Sequence, residues 1–282
     1  MSNAGRYAPS PTGELHLGNL RTALLAWLGA RSTGADFLVR IEDLDRGRSR
    51  EHFIETQLEE LRMIGIEWDG EPVRQSDRLD LYAQALGVLV SKGLVYECFC
   101  TRAEIRDAAS APHGNSPADA YPGTCADLTE AEREARRATG RPPALRVRSG
   151  GDDDFVVRRN DGDFGYNLAV VVDDAAQGIT EVVRGADLLD STPRQIWLFD
   201  QLGLTPPDRY IHVPLMLGED GARLAKRHGA VTLEDRIANG ATLPGLIGEM
   251  AASVGLAEPG TETTARELLE GFGWDRVKPE IL

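Results

Sequence analysis

Two short segments, far apart in the chain, carry residue types that suit a nucleoside triphosphate. The first, Pro9–Asn19, combines prolines, glycines and one imidazole, His16, just ahead of a predicted helix. Its glycines let backbone approach a ligand, and the N-terminus of a helix attracts phosphate. The second, Arg223–Gly229, gathers four basic side chains within six positions. Taken alone, the first segment is explained by an ordinary strand-to-helix loop and the second by a solvated basic loop. Together, the two segments could hold a triphosphate from both sides while its α-phosphate is attacked.

Three cysteines lie close together in the middle of the chain. Cys98, Cys100 and Cys125 fall within 28 positions, and their odd number does not suggest a disulfide framework. Three soft ligands at this spacing favour a structural zinc site of tetrahedral geometry. The cysteines leave the fourth ligand open. His113 is the conventional choice by chemistry, and three buried free thiols are the alternative to any metal.

Hydrophobic periodicity predicts the elements that would position these segments. A strand near Arg6–Ala8 leads into the first segment, and a helix over residues 20–31 follows it. A second strand, Phe37–Ile41, ends in the acidic turn Glu42–Asp45. Further strands are predicted at Phe155–Val157, Ile179–Val183 and Tyr210–Val213. Strands and helices that alternate in this way are typical of an α/β fold with a parallel sheet.

The stretch between Cys98 and about Gly151 departs from this alternation. It contains the cysteines, a segment rich in proline, glycine and serine (residues 110–122) and a charged helix predicted over Thr129–Arg137. We interpret it as a subdomain inserted into the α/β domain. Because an insertion of this size cannot bury a large core of its own, a zinc ion would stabilise it.

Composition restricts the class of protein. The 282 residues carry a net charge of −14, which argues against broad, nonspecific affinity for nucleic acid but allows a folded RNA partner at a local basic face. No apolar stretch approaches the ~18 residues of a membrane span, and the N-terminus lacks the pattern of a signal peptide. We therefore expect a cytoplasmic protein without membrane association, and we expect a monomer.

The order of several motifs resembles that of the glutamyl-tRNA synthetases, which are class I aminoacyl-tRNA synthetases. Arg6–Gly13 with His16–Asn19 is similar to their "HIGH" region. Arg223–Arg227 is similar to their "KMSKS" loop, with Ala225 in place of the usual serine. Motifs between these two also match, at Arg40–Asp45, Tyr166–Asp174 and Val183–Leu188.

The resemblance covers about residues 5–230 and implies an architecture. It implies a Rossmann-like catalytic domain in two halves, residues 5–97 and 152–230. Between them would lie an inserted zinc-binding subdomain, residues 98–151. A short helical C-terminal extension, residues 231–282, would follow without an anticodon-binding domain.

The same resemblance implies that glutamate is adenylated by ATP with Mg²⁺. An ionised carboxylate is already a nucleophile, so no general base is required. Catalysis then depends on positioning the reactants and on neutralising the charge that develops during the reaction. The catalytic roles fall to His16 and Lys226. The residues implied for ATP are Pro9, Thr12, Gly13, His16, Gly18, Asn19, Leu224, Lys226 and Arg227.

Glutamate carries two carboxylates and one ammonium, so its pocket should hold two cations and one anion. Arg6 and Arg184 can each grip a carboxylate through two parallel hydrogen bonds, and Glu42 can take the ammonium. The full set that the resemblance implies for glutamate is Arg6, Tyr7, Ala8, Pro9, Ser10, Glu42, Tyr166 and Arg184. The family pattern also matches Tyr121, rather than His113, as the fourth zinc ligand.

The chain ends 54 residues after His228, which is too short for the helical anticodon-binding region of a full glutamyl-tRNA synthetase. It more closely resembles the shorter glutamyl-Q-tRNA(Asp) synthetase family, which shares the cysteine–tyrosine pattern. That resemblance implies that glutamate is activated and then transferred to queuosine in the anticodon of tRNA(Asp). Two alternatives stay open: a minimal glutamyl-tRNA synthetase that charges the 3′ end of tRNA(Glu), and a catalytically silent tRNA-binding paralogue.

Overall fold

The computed structural model of the chain describes residues 3–109, 121–150, 154–216 and 232–277, with the backbone alone for residues 106–109. The strands are β1 Ala4–Tyr7, β2 Asp36–Ile41, β3 Val73–Arg74, β4 Val95–Cys98, β5 Ala144–Val147, β6 Val156–Arg158, β7 Ile179–Gly185 and β8 Arg209–Val213. The helices are α1 Leu17–Ser32, α2 Glu51–Met63, α3 Leu79–Ser91, α4 Arg102–Ala109, α5 Glu130–Arg137, α6 Tyr166–Ala176, α7 Ser191–Leu202, α8 Leu233–Ala238, α9 Leu243–Ala252 and α10 Ala265–Leu269.

The chain divides into two compact units. The first comprises Met1–Asp77, Asp174–Thr192 and Pro207–Leu282, and the second comprises Arg78–Asp173 and Pro193–Pro206. Within the described ranges, no helix is long and apolar enough to cross a membrane.

A five-stranded parallel sheet is the framework of the first unit, with the strand order β3-β2-β1-β7-β8. The predicted parallel sheet is thus confirmed for β1, β2, β7 and β8. Because these strands run in the same direction, their carboxyl ends meet at one edge, which is where open parallel sheets bind ligands. Arg6 near the end of β1, Glu42 just after β2 and Arg184 near the end of β7 all lie toward this edge.

Helix α1 is buried on almost every side. Twelve of its sixteen residues are buried, because it packs on β1 and β7 and also against α9 and α10. At Gly29 the approach is so close that an added Cβ would lie 2.7 Å from the ring of Trp274. Helix α9 contributes Leu246, Ile247 and Met250 to the same hydrophobic core. The first segment of interest therefore leads into the most buried helix among the described residues of the unit.

The second unit contains an antiparallel sheet of β4, β5 and β6. The sequence-based assignment of Phe155–Val157 to the parallel sheet is therefore wrong. A short run of β-branched residues predicts a strand, but it does not encode the partner or direction of that strand. The charged helix is confirmed as α5, where Thr129 caps the helix and exchanges hydrogen bonds with Glu132.

Candidate active site and metal centre

The loop that follows β1 is held in place by side chains of α2. Gln57, only 1% exposed, donates from Nε2 to the carbonyl oxygens of Ser10 at 3.2 Å and Gly13 at 2.6 Å. The carboxylate of Glu60 accepts the N–H of Leu15 at 3.2 Å. Two buried polar groups of an otherwise amphipathic helix therefore fix the shape of this loop.

The groups that the loop offers to a ligand remain accessible. Ser10 and Thr12 are exposed, while Pro9 is buried beneath them. Apart from its chain neighbours, no described atom lies within 4 Å of the point where a Cβ on Gly13 would sit. The loop thus presents hydroxyl groups and uncovered backbone, as the expected ATP contacts require.

His16 is the N-cap of α1, and the cap fixes the imidazole. Its Nδ1 accepts the N–H of Asn19 at 3.2 Å, while Oδ1 of Asn19 accepts the N–H of His16 at 3.3 Å. Because Nδ1 is an acceptor, the neutral ring carries its proton on Nε2, which is the nitrogen able to donate to a phosphate oxygen. An added Cβ at Gly18 would lie 3.0 Å from Cε1 and Nδ1 of this ring, so glycine at that position leaves the ring undisturbed.

A buried network of four charges joins β1, β2 and the end of α6. Arg6 donates to Asp174 from Nε at 3.2 Å and from Nη2 at 3.5 Å. Arg40 donates from Nη1 to Asp174 at 2.7 Å and from Nη2 to Glu42 at 3.3 Å. The two guanidinium groups balance the two carboxylates. Nη1 of Arg6 donates to none of the described residues, so it is the group that can meet a ligand.

The two carboxylates of this network differ in their acidity. Burial raises the pKa of Glu42 above its ordinary value, and the charges of Arg40 and Arg6 oppose this effect. Burial acts on Asp174 in the same direction, but its contacts with Arg6 and Arg40 outweigh it and hold the pKa below the ordinary value. Asp174 is therefore the permanent anion, whereas an arriving ammonium would favour the charged form of Glu42.

Arg184 is positioned by a neighbouring strand. Its Nε donates to Nε2 of His212 on β8 at 3.2 Å, and its Nη2 donates to Oγ1 of Thr192 at 2.7 Å. Burial and the charge of Arg184 lower the pKa of His212. The imidazole is therefore neutral at physiological pH, and its Nε2 is free of a proton and can accept from Arg184.

The remaining predicted contacts fall in three different settings. The side chain of Tyr7 lies in the hydrophobic core, so any contact of this residue with glutamate would come from its backbone. Ala8 follows it in the loop and is partly exposed. Tyr166 begins α6 in the second unit and is 37% exposed. The predicted residues of the basic loop and one predicted metal ligand lie outside the described residues: Arg223, Leu224, Lys226, Arg227 and His113.

The three cysteines and Tyr121 converge in the second unit. The cysteine sulfurs all lie within 4.8 Å of one another. The phenol oxygen of Tyr121 lies 3.4 Å from Sγ of Cys98 and 3.6 Å from Sγ of Cys100, and the sulfurs of Cys100 and Cys125 are 3.5 Å apart. In a tetrahedral zinc site with bonds of about 2.3 Å to sulfur and about 2.0 Å to oxygen, the ligand atoms lie about 3.5–3.8 Å apart. These three distances are therefore compatible with four donors around one zinc ion.

The charge state of the cluster depends on whether a cation is bound. Burial raises the pKa of Cys100 to about 12, so this thiol stays neutral unless a positive charge is added. A bound divalent metal ion supplies such a charge and deprotonates its thiol ligands. Arg146 stacks over the ring of Tyr121, with its guanidinium carbon 3.8 Å from the ring centroid, and adds a further positive charge beside the donor atoms.

The structure assigns roles to residues for which the sequence pattern predicted none. Arg40 and Asp174 complete the buried charge network, His212 orients Arg184, and Gln57 holds the loop. The sequence does carry a signal for Arg40 and Asp174, because each interrupts an apolar stretch. A charged residue in such a stretch is expected to be buried, and a buried charge requires a partner. His212 and Gln57 carry no comparable signal, because a neutral polar residue in a strand or an amphipathic helix is ordinary.

Comparison with known proteins agrees with this geometry. A family model described as "tRNA synthetases class I (E and Q), catalytic domain" matches residues 4–153 and 149–267. The chain is 53% identical to a glutamyl-Q tRNA(Asp) synthetase of Nocardia farcinica, over 99% of this chain and 92% of the relative. It is 48% identical to one of Symbiobacterium thermophilum, over 98% of this chain and 94% of the relative.

A solved structure supports the fold in three dimensions. The crystal structure of a glutamate tRNA ligase from Elizabethkingia meningosepticum superposes with a TM-score of 0.80 at 27% identity. The match covers 98% of this chain and 65% of the length of that protein. Both the resemblance and the predicted α/β class I synthetase fold are thereby confirmed. The chain belongs to the glutamyl-Q tRNA(Asp) synthetase family of class I tRNA synthetases, and it is a ligase.

Proposed function

We propose that the protein activates L-glutamate with ATP and transfers it to queuosine in the anticodon of tRNA(Asp). In the first step a carboxylate oxygen of glutamate attacks the α-phosphorus of ATP. An oxygen–phosphorus bond forms, the bond to pyrophosphate breaks, and glutamyl-adenylate results. In the second step a hydroxyl group of queuosine attacks the activated carbonyl. An ester forms, AMP leaves, and the hydroxyl proton passes to water.

The observation that carries this proposal is the charge pattern at the carboxyl edge of the parallel sheet. Arg6 and Arg184 supply two cations for the two carboxylates of glutamate, and Glu42 supplies the anion for its ammonium. Arg6 keeps Nη1 for a ligand, while its other contacts are with Asp174. The names of the two closely similar relatives support queuosine as the acceptor.

His16 and Lys226 would neutralise charge during adenylation. Nε2 of His16 can donate to a phosphate oxygen because Nδ1 is engaged in the helix cap. Lys226 would add a positive charge from the basic loop, and Mg²⁺ would accompany the ATP phosphates. The remaining ATP contacts would come from Pro9, Thr12, Gly13, Gly18, Asn19, Leu224 and Arg227.

One structural zinc ion is part of the proposal. The ion would be held by four side chains, Cys98, Cys100, Cys125 and Tyr121. The distances between their donor atoms given above would suit this coordination. It would stabilise the inserted subdomain predicted over residues 98–151 and would take no part in catalysis. We expect a cytoplasmic enzyme, since ATP and tRNA are its proposed substrates, and we also expect a monomer.

The decisive experiment separates activation from transfer. ATP–pyrophosphate exchange with glutamate is measured first without RNA and then with tRNA(Glu). Labelled glutamate and ATP are next offered to tRNA(Asp) with and without queuosine. We expect exchange without RNA and label retained only on the queuosine form.

The other results would support the alternatives. The similarity to a glutamate tRNA ligase favours, as second candidate, the charging of tRNA(Glu) at its 3′ end. Exchange that appears only with tRNA(Glu), or label found on tRNA(Glu), would establish that activity and overturn the proposed acceptor. Absence of exchange under every condition would support a catalytically silent paralogue.

A further inference from the structure

The loop after β1 depends on neighbouring elements for its shape. Two of the five residues Pro9–Gly13 are prolines, which have no backbone N–H, so the loop cannot satisfy all of its own carbonyl groups. The carbonyl oxygen of Pro9 accepts the N–H of Glu42 at 2.9 Å, and that of Pro11 accepts the N–H of Arg50 at 3.0 Å. Donors at the end of β2 and at the start of α2 therefore hold the two prolines.

Gln57 holds the loop at two further carbonyl groups. Its Nε2 lies 3.2 Å from the carbonyl oxygen of Ser10 and 2.6 Å from that of Gly13. An amide NH2 group has two N–H donors, one for each acceptor. Rotating the amide by a half turn would place Oε1 against two carbonyl oxygens, so these contacts determine its orientation. One nitrogen atom thus fixes the separation of two points of the loop.

The two points are expected to serve different substrates. Ser10 belongs to the residues expected to contact glutamate, and Gly13 belongs to those expected to contact ATP. The same face of α2 continues to Glu60, which accepts the N–H of Leu15 next to His16. This face of the helix therefore spans the loop from its glutamate end to the imidazole that would donate to a phosphate.

The second polar atom of the Gln57 amide argues against a purely stabilising role. The side chain is 1% exposed, yet Oε1 has no hydrogen-bond partner among the described residues. A buried carbonyl group without a partner costs folding free energy. Ser10 and Gly13 are at least partly exposed, so water could replace the amide as the donor to their carbonyl groups. A methionine of similar length would avoid the cost of the buried oxygen, but it would leave the separation of the two carbonyl groups unfixed.

We propose that Gln57 is a positioning residue for adenylation. It would touch neither substrate, but it holds the glutamate-binding and ATP-binding parts of the loop at the separation from which a carboxylate oxygen reaches the α-phosphorus. A small displacement of two reactants lowers the rate of their reaction more than it lowers the affinity for either one. The inference rests on the proposed activation of glutamate with ATP, and it is independent of the RNA that accepts the glutamate.

The test uses two substitutions of Gln57 and one control. Gln57→Met keeps the length of the side chain and removes both donors. Gln57→Glu places a carboxylate against the two carbonyl oxygens and offers at most one donor when it is protonated. Ile54→Val is the matched control, because Ile54 is buried in the core on the same helix and the change removes one methylene group and no hydrogen bond. Thermal unfolding checks that all three variants are folded, and Gln57→Met alone decides if Gln57→Glu does not fold.

The measurements separate the rate of adenylation from the binding of its substrates. ATP–pyrophosphate exchange with glutamate gives kcat and the KM for each substrate, and calorimetry gives the affinity for glutamate alone and for ATP alone. For Gln57→Met, kcat should fall by about ten- to hundredfold, because the reactants are no longer held at the reactive separation. Both KM values and both affinities should stay within about threefold of the wild type, since the individual contacts remain. Gln57→Glu should lose at least as much kcat, and Ile54→Val should match the wild type.

Other results would overturn the assignment. If Gln57→Met and Ile54→Val have the same kcat, Gln57 only packs the helix against the loop. If a KM rises while kcat is kept, Gln57 supports the binding of that substrate and not the separation of the two. If the wild-type protein catalyses no exchange with or without RNA, the proposed function fails and the inference fails with it. If exchange requires tRNA(Glu), only the proposed acceptor fails, and the same comparison in the presence of that RNA decides the role of Gln57.

Discussion

At the scale of single residues, the buried charges of the candidate site restrain one another before any ligand arrives. Asp174 accepts hydrogen bonds from both Arg6 and Arg40, and all three side chains are at most 5% exposed. A guanidinium group held at one end by a buried carboxylate presents its remaining N–H groups in a fixed direction. We therefore expect Asp174 to be a positioning residue for glutamate, although it would not touch the substrate.

Replacing Asp174 by asparagine tests this expectation. The change keeps the shape of the side chain but removes the anion that Arg6 and Arg40 share. Among the described residues, Arg6 then has no other carboxylate within hydrogen-bond distance, whereas Arg40 keeps Glu42. The KM for glutamate in pyrophosphate exchange should rise by at least about tenfold, because Arg6 is no longer oriented. The free energy of unfolding should fall by about 3 kcal/mol. Steady-state kinetics and denaturant unfolding measure the two effects.

The adjacent Asp173 offers a matched control. It is equally buried and accepts from Nε of Arg78 at 2.6 Å and from the hydroxyl of Tyr82 at 2.8 Å. Asp173→Asn should therefore destabilise the fold to a similar extent but leave the KM for glutamate unchanged. An unchanged KM in Asp174→Asn would show that Asp174 does not position Arg6 for glutamate. A lower KM would show that net charge, and not the orientation of Arg6, governs binding.

Glu42 predicts a pH dependence of glutamate binding. Its pKa is raised by burial, so it takes up a proton at a higher pH than an ordinary glutamate does. As the pH falls through that raised pKa, the partner of the substrate ammonium is neutralised, and kcat/KM for glutamate should fall. A pH profile of exchange measures this acidic limb. Glu42→Gln should have low activity, and its kcat/KM should no longer fall at acidic pH. If the fall at acidic pH persists in this variant, another group is responsible for it.

At the scale of secondary-structure elements, one residue serves both the helix and the chemistry. His16 ends the loop after β1 and caps α1, whose burial between the sheet and the last helices leaves it little freedom to move. The cap determines the tautomer, and the tautomer determines which nitrogen can donate. The helix therefore positions the imidazole more strictly than the loop alone would.

Two substitutions separate these roles of His16. Asparagine is a good N-cap, so His16→Asn should keep the stability of the helix, whereas His16→Ala should lose about 1 kcal/mol of unfolding free energy. Both should slow adenylation by about 10²–10³-fold, because both remove the donor to phosphate. Thermal or denaturant unfolding and pyrophosphate exchange measure the two roles. Full activity in His16→Asn would mean that His16 is only a cap.

At the scale of the whole molecule, the parallel sheet and the cysteine cluster belong to different units. The first unit has a large continuous hydrophobic core, whereas the cluster around Cys98, Cys125 and Tyr121 buries only a few side chains. A small core of this kind is typical of proteins that depend on a metal ion for stability. A zinc ion bound at this cluster should therefore matter more for folding than for the reaction.

Loss of the metal should affect stability first. Cys100→Ser, or treatment with a strong chelator, should lower the melting temperature and increase amide hydrogen exchange in β4 and β5. Elemental analysis should find zinc in the wild type and little in this variant. A wild-type protein that contains no zinc, with a melting temperature insensitive to chelators, would contradict the proposed site.

The fourth ligand can be identified by a second pair of variants. Tyr121→Phe keeps the ring beneath Arg146 but removes the phenol oxygen, and His113→Ala removes the alternative ligand. We expect weaker zinc retention in Tyr121→Phe alone. Weaker retention in His113→Ala alone would assign the site to the histidine.

Some elements could be predicted from the sequence, and others could not. The pattern of apolar residues predicted the strands β1, β2, β7 and β8. A buried strand produces such a pattern locally, because its inward-facing residues are apolar. The same reasoning assigned β6 to the wrong sheet, because a three-residue strand is compatible with either direction of pairing. In the candidate site, Arg6, Glu42 and Arg184 followed from the charges of the ligand that the resemblance implies.

The sequence by itself determined the family, the chemistry expected of His16 and the charged pocket residues, and three cysteines as candidate zinc donors, with the fourth donor left open between Tyr121 and His113. These depend on residue types and on short spacings, which are local properties. Only the tertiary structure decided how the charges are paired. Arg6 and Asp174 are 168 positions apart, and His212 reaches Arg184 from a neighbouring strand. Such pairs form only when strands and helices pack. A buried charge or polar group is then stabilised by the partner that the fold brings within hydrogen-bond distance.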